Sequence, residues 1–171
     1  YQDAGVRVEF VGHPLVDLAR AARPRAEVLA GVGFDPARPV LALLPGSRSS
    51  EVGRLLPGLV AAARLMPARV PGIQILVARA PGLDESLFAP LAELRASGIP
   101  VAVLDQAADD VLAASDVVVT ASGTATIQAA LHGRPMVVVY RLSPLSYATG
   151  RLFVRVNTYG MVNLVAGRRV A

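Results

Sequence analysis

Pro45-Gly46-Ser47-Arg48 and Ala121-Ser122-Gly123-Thr124 are glycine-bearing turns, each placed where an apolar run gives way to a helical stretch. The first follows Val40-Leu-Ala-Leu-Leu44 and opens a helix whose first turn holds Glu51. The second follows Asp116-Val-Val-Val-Thr120 and opens a helix through Thr126, Gln128 and Leu131. Loops that follow the strands of a parallel α/β sheet gather at one edge, where ligands bind. A helix N-terminus there offers unpaired N–H groups and the positive end of a dipole, a combination suited to phosphate. Gly46, Ser47, Arg48 and Glu51 on one side, with Ser122, Gly123, Thr124 and Gln128 on the other, are therefore candidates for a diphosphate-binding, and hence nucleotide-binding, cradle. Arg48 is placed to fork onto the diphosphate.

Other chemistries are missing from the sequence. There is no G-x-G-x-x-G fingerprint and no G-x-S-x-G nucleophile elbow, and a P-loop is impossible because the chain has no lysine. Without cysteine there is neither a disulfide nor a thiolate ligand or nucleophile. The two histidines, His13 and His132, share no metal-site spacing with a carboxylate. Gly12-His13-Pro14 reads as a shaped turn with a structurally bonded imidazole, and His132 as the end of a helix meeting the dipole. Asp109, Asp110 and Asp116 read as helix-start and strand-start residues, and no acid/base pair is evident.

The elements that must hold the two turns alternate as β and α. Strands are expected at Val6–Val11, Val40–Leu44, Ile73–Ala78, Val101–Leu104, Val117–Thr120 and Met136–Tyr140, mostly as continuous valine-rich runs that suit strands covered on both faces. Helices are expected near Leu15–Gly31, Ser50–Met66, Glu85–Ala96, Ala108–Ala114 and Thr124–His132, punctuated by glycine or proline. This is an α/β pattern, a doubly wound parallel sheet with right-handed crossovers. At 171 residues and 53% hydrophobic, the chain can bury one good core. No run approaches the roughly 20 apolar residues of a membrane span. Its opening, Tyr1-Gln2-Asp3-Ala4, resembles no signal peptide and reads as a cut from a longer chain.

Charge is unevenly placed. Residues 1–116 hold 11 arginines against 13 acids, while residues 117–171 hold six arginines and no acid. A one-signed stretch implies an anionic partner such as phosphate, a lipid surface or nucleic acid. Ser143-Pro144 reads as a helix start. The following residues set Leu145, Tyr147, Leu152 and Phe153 beside Arg151 and Arg155, the composition of a helix lying on an anionic membrane surface. The alternative is a helix packed on the sheet.

Read in order, several segments resemble lipid-A-disaccharide synthase, a two-domain glycosyltransferase of the B type (GT-B). They are Phe10-Val-Gly-His-Pro-Leu15, Leu43-Leu-Pro-Gly-Ser-Arg48 with Glu51, Ala114-Ser-Asp116, Ala121-Ser-Gly-Thr-Ala-Thr126, Pro135-Met-Val-Val-Val-Tyr-Arg141 and Asn163-Leu-Val-Ala-Gly167. Each is loose alone; the ordered set is specific and covers nearly the whole chain. The resemblance implies the C-terminal, donor-binding Rossmann-like half of such an enzyme, with residues 1–14 as an inter-domain connection and first strand, 15–142 as a UDP-sugar-binding Rossmann-like domain, and 143–171 as a basic amphipathic C-terminal segment. The implied reaction is inverting, metal-free and cofactor-free: it transfers 2,3-diacylglucosamine from UDP to 2,3-diacylglucosamine 1-phosphate, in lipid A biosynthesis. Arg48 would stabilise the leaving UDP, and the general base would not lie in this chain. Implied partners are UDP-2,3-diacylglucosamine, UDP, an anionic membrane surface and an N-terminal acceptor domain, with no nucleic acid. The implied location is cytoplasmic, peripheral on the inner face of the inner membrane of a Gram-negative bacterium, and the piece alone should not turn over.

The sequence departs from the family pattern at Gln128, where a glutamate usually accepts ribose hydroxyls; the amide keeps an acceptor oxygen but loses the charge. It also stops after Arg169-Val170-Ala171, before the family's usual Pro-Glu-Leu segment. Two other readings stay open: another GT-B enzyme on UDP-N-acetylglucosamine (a 2-epimerase or the peptidoglycan transferase), and a non-catalytic nucleotide-sensing module.

Overall fold

A computed structural model of the chain describes residues 4–9, 11–141 and 160–171. Five strands form an all-parallel sheet: β1 (Val40–Leu44), β2 (Gln74–Arg79), β3 (Val101–Asp105), β4 (Val117–Ala121) and β5 (Met136–Val139). Their order across the sheet is β3-β2-β1-β4-β5. Leu41 is in register with Ile75 on one side and Val117 on the other. All five residues of β1 are buried, because helices cover both faces and neither face tolerates a polar side chain.

Alternation along the strands divides the core into two layers. Leu41, Leu43, Ile75 and Val77 face Val52, Leu56 and Val60 of α3 (Ser49–Ala63), together with Leu91 of a 3₁₀ helix (Glu85–Leu91) and Leu94 of α4 (Ala92–Ala96). Val40, Ala42, Leu44 and Leu76 face Val28 and Leu29 of α2 (Arg25–Gly31), Val111 and Leu112 of α5 (Ala108–Ala114), and Ala129 of α6 (Thr124–Leu131). Buried Gln74 fastens the turn-rich stretch before β1: its Oε1 accepts the Asp35 N–H and its Nε2 donates to the Asp35 carbonyl, both at 2.8 Å.

Three expectations need correction. Residues 6–9 and 11 lie outside the sheet, so the expected first strand at Val6–Val11 is not formed; Val6 and Val11 are 50% and 89% exposed. Alternation alone does not decide whether a segment joins a sheet. The expected helix at Leu15–Gly31 is two helices, α1 (Leu15–Leu18) and α2, joined by a non-helical bend. The residue before a proline avoids the helical region, which keeps one helix from running through Arg23-Pro24 into α2. The freed N–H groups of Ala22 and Arg23 both donate to Asp110 Oδ1, at 2.7 and 3.1 Å. Finally, Glu85–Ala96 is a 3₁₀ helix followed by one short α-helix, with Pro90 inside the 3₁₀ part. A further helix not expected from the sequence, α7 (Met161–Ala166), packs on α6. The expected interfacial helix and its residues Leu145, Tyr147, Arg151, Leu152, Phe153 and Arg155 lie outside the described residues.

Candidate functional site

The strand order reverses direction between β1 and β4, the point where an open α/β sheet leaves a crevice at its carboxyl edge. The two glycine turns are the loops leaving these two strands, so the fold brings them side by side at that crevice.

In the first turn, Gly46 stands at φ +122°. A Cβ there would come within 2.8 Å of Glu51 Oε2 and 2.9 Å of Glu51 Cβ, so only glycine lets the first turn of α3 fold back over the loop. The Glu51 carboxylate accepts the Ser47 N–H at 3.3 Å and the Arg48 guanidinium at 2.8 Å. Arg48 is 77% exposed and Glu51 24%, so their ion pair contributes little to stability but holds the turn in shape. The donors that suit an anion, the Ser47 N–H and the Arg48 fork, thus already face one carboxylate.

In the second turn, Gly123 is at φ +156° and ψ −161°, a region that side chains avoid. The Ser122 N–H is committed to the sheet through the Val139 carbonyl at 3.1 Å, leaving its hydroxyl and the first amides of α6 at the crevice. Buried Thr126 closes the turn by donating to the Gly123 carbonyl at 2.7 Å, and its Oγ1 also accepts the Val162 N–H of α7 at 3.2 Å.

Gln128 lies one turn further along α6. Its Nε2 donates to both Asp109 oxygens, at 3.3 and 3.4 Å, and His132 Nε2 lies 2.9 Å from Asp109 Oδ1. Asp109 therefore fixes one end of the carboxamide, leaving Oε1 as an acceptor. This clamp between α5 and α6 was not apparent in the sequence, where Asp109 reads as a helix-start residue and His132 as a helix end. His13 behaves as expected, with Nδ1 accepting the Leu15 N–H at 3.2 Å.

Two other charged groups at the sheet are committed to structure. Arg79 at the end of β2 makes a two-pronged contact with Asp105 at the end of β3; that hydrogen bond holds the Asp105 carboxyl below its ordinary range. Asp110 is buried; desolvation pushes its carboxyl up, but the hydrogen bonds from the Arg23 side chain and from the Arg23 and Ala22 amides outweigh this and hold it low. The crevice is bordered beyond the expected residues by Arg54, Tyr140 and Arg141. Arg54 lies one turn beyond Glu51 on α3; its basic charge and its i,i+3 spacing from Glu51 were the signal that could have identified it.

The family model described as Lipid-A-disaccharide synthetase matches residues 1–171. The lipid-A-disaccharide synthase of Geobacter sulfurreducens is 44% identical over 170 residues, covering 99% of this chain and 44% of that protein. That of Nitrosococcus oceani is 44% identical over 171 residues, covering 100% and 44%, and that of Myxococcus xanthus 41% over 170 residues, covering 99% and 44%. The chain thus spans less than half the length of these relatives. Among solved structures, a Listeria monocytogenes protein assigned as a UDP-N-acetylglucosamine 2-epimerase aligns over 96% of this chain and 40% of its own. Its TM-score is 0.46 at 16% identity, a likeness too loose to bear on function.

Proposed function

Because this chain belongs to the lipid-A-disaccharide synthetase family, we propose that it is the UDP-sugar-binding half of a B-type glycosyltransferase. The reaction proposed is inverting transfer of 2,3-diacylglucosamine from UDP to 2,3-diacylglucosamine 1-phosphate, giving a β-1,6-linked disaccharide and UDP. One observation supports this above the others: the Gly46 and Gly123 turns meet at the switch point between β1 and β4, with Arg48 beside them. The diphosphate lies across the two helix starts, and Arg48 exchanges Glu51 for a phosphate oxygen. As the anomeric C–O bond breaks, negative charge grows on the leaving diphosphate. Preoriented amides and a guanidinium stabilise that charge without a metal. Gln128 Oε1 accepts a ribose hydroxyl. The acceptor domain and the general base that takes the proton of the attacking hydroxyl would come from the length of the relatives that this chain does not match.

Calorimetric titration with UDP, ADP and GDP, without metal, tests the reading. UDP should bind best, and Arg48→Ala should weaken it by about 1.5–3 kcal/mol, the scale of a charge-assisted hydrogen bond. Equal UDP affinity in the two proteins would remove Arg48 from this role.

Acylated substrates call for a membrane surface, and we place the enzyme peripherally on the inner face of the inner membrane. No helix among the described residues is long and apolar enough to cross a bilayer. The proposed contact is residues 143–155, with Leu145, Tyr147, Leu152 and Phe153 inserting and Arg151 and Arg155 on lipid phosphates. Each arginine contributes about 1 kcal/mol near an anionic surface. Co-sedimentation with anionic vesicles at low salt should be lost when Arg151 and Arg155 become glutamate; binding that survives the change refutes the contact.

A further inference from the structure

The second glycine turn is held from behind by one hydroxyl. Thr126 is fully buried, and both its N–H and its Oγ1–H donate to the Gly123 carbonyl, at 3.1 and 2.7 Å. In a planar trans peptide the carbonyl and the following N–H point in opposite directions. Drawing the Gly123 oxygen back into α6 therefore aims the Thr124 N–H out of the helix start, toward the crevice. The same Oγ1 accepts the Val162 N–H of α7 at 3.2 Å. A hydroxyl that accepts on one lone pair turns its proton elsewhere, and a chain of N–H to O–H to carbonyl is cooperative. The bond from α7 thus favours the proton position that holds the Gly123 carbonyl.

α7 in turn leans on this contact. Its six residues, Met161–Ala166, are too few to stay helical by their own hydrogen bonds. Val162 and Asn163 are buried, while Leu164 and Val165 are 62% and 72% exposed. The helix is therefore an element of low local stability, seated on α6 by a small buried face and by the Thr126 bond.

We infer that Thr126 is a positioning residue for the diphosphate turn, and that it couples α7 to nucleotide binding. With α7 seated on Thr126 the Thr124 amide is aimed at the anion, and an anion on that amide keeps α7 seated. The inference rests on the reading above in one respect: the Gly123 turn takes the diphosphate. Being fully buried, Thr126 acts without touching the ligand. The coupling is reciprocal, so the factor by which seated α7 tightens UDP is also the factor by which UDP shifts α7 toward its seated state.

Amide hydrogen exchange of the 171-residue chain is followed with and without saturating UDP, resolved to Val162. UDP affinity is measured by calorimetry in the parent, Thr126→Val and Thr126→Ser. In the parent, UDP should slow Val162 exchange at least about fivefold, the lower end of typical coupling between sites. Thr126→Val keeps the shape and removes the hydroxyl. It should weaken UDP about tenfold and abolish the slowing at Val162, with the β1 amides still protected as the sign of an intact sheet. Thr126→Ser keeps the hydroxyl and should stay within about threefold of the parent. UDP binding that leaves Val162 exchange unchanged in the parent overturns the inference, and that measurement needs no variant. So does parental UDP affinity in Thr126→Val, or a Thr126→Ser protein as weak as Thr126→Val, which would assign the effect to packing of the methyl group. Inorganic pyrophosphate separates the coupling from the donor-domain reading: if it binds and slows Val162 exchange while UDP does not bind, the coupling stands and that reading fails. A chain that binds neither refutes both.

Discussion

The Gln128 carboxamide offers its nitrogen to Asp109 at 3.3 and 3.4 Å, so replacing it with the glutamate usual in the family sets one carboxylate against another. Two unit charges at that separation repel by about 5 kcal/mol at an effective dielectric of about 20. Asp109 is 25% exposed, and water and side-chain rotation would reduce the net cost of Gln128→Glu to about 1–2 kcal/mol. For a domain of this size that lowers the thermal midpoint by roughly 2–8 °C. Differential scanning calorimetry at neutral pH and low salt measures it, and added salt should shrink the gap. The exchange Asp109→Asn with Gln128→Glu restores one amide facing one carboxylate and should recover most of the loss, a coupling that a double-mutant cycle isolates. The reasoning is refuted if Gln128→Glu is as stable as the parent, or if the exchanged pair is no better than the single substitution.

Gly46→Ala puts a methyl group 2.8 Å from Glu51 Oε2 at φ +122°, so it should cost about 1–3 kcal/mol of stability and weaken UDP by at least about tenfold; unchanged calorimetric affinity would show that the turn does not touch the ligand. The Asp110 carboxyl is held below its unfolded-state range, so its stabilisation is complete above that range and lost as pH falls through the lowered folded value. Asp110→Asn should flatten this acid limb in denaturant unfolding between about pH 5 and 2, and an unchanged slope would show that the Arg23 contact does not stabilise the fold.

The parallel sheet was legible because its strands carry their own burial signal. Val40–Leu44 and Val117–Thr120 are apolar at every or nearly every position, the pattern of strands covered on both faces in a parallel sheet. The crevice was legible for the same reason: once two strands are known to be parallel, their following loops must share an edge. What stayed hidden depends on neighbours distant in sequence. Asp109, Gln128 and His132 meet only because α5 and α6 pack together, and nothing in the spacing of three residues on two helices specifies that contact. Likewise Val6–Val11 has the alternation of a strand, yet residues 6–9 and 11 lie outside the sheet, because alternation alone does not decide which segments a sheet takes in. Arg23-Pro24 was the reverse case, a local stop signal present in the sequence itself.

The reversal of strand order has a kinetic meaning. Leu41 lies against Val117, yet β2, β3 and three α-helices separate them along the chain. Closing that long loop is entropically costly and slow, so the crevice is among the last features to form. A chain that has collapsed only through β3 has one glycine turn and no crevice. Any anion that needs both turns is therefore a probe of completed folding: it stabilises the finished domain by mass action and no earlier species. The nucleotide would act as a late fastener for the fold as well as its cargo.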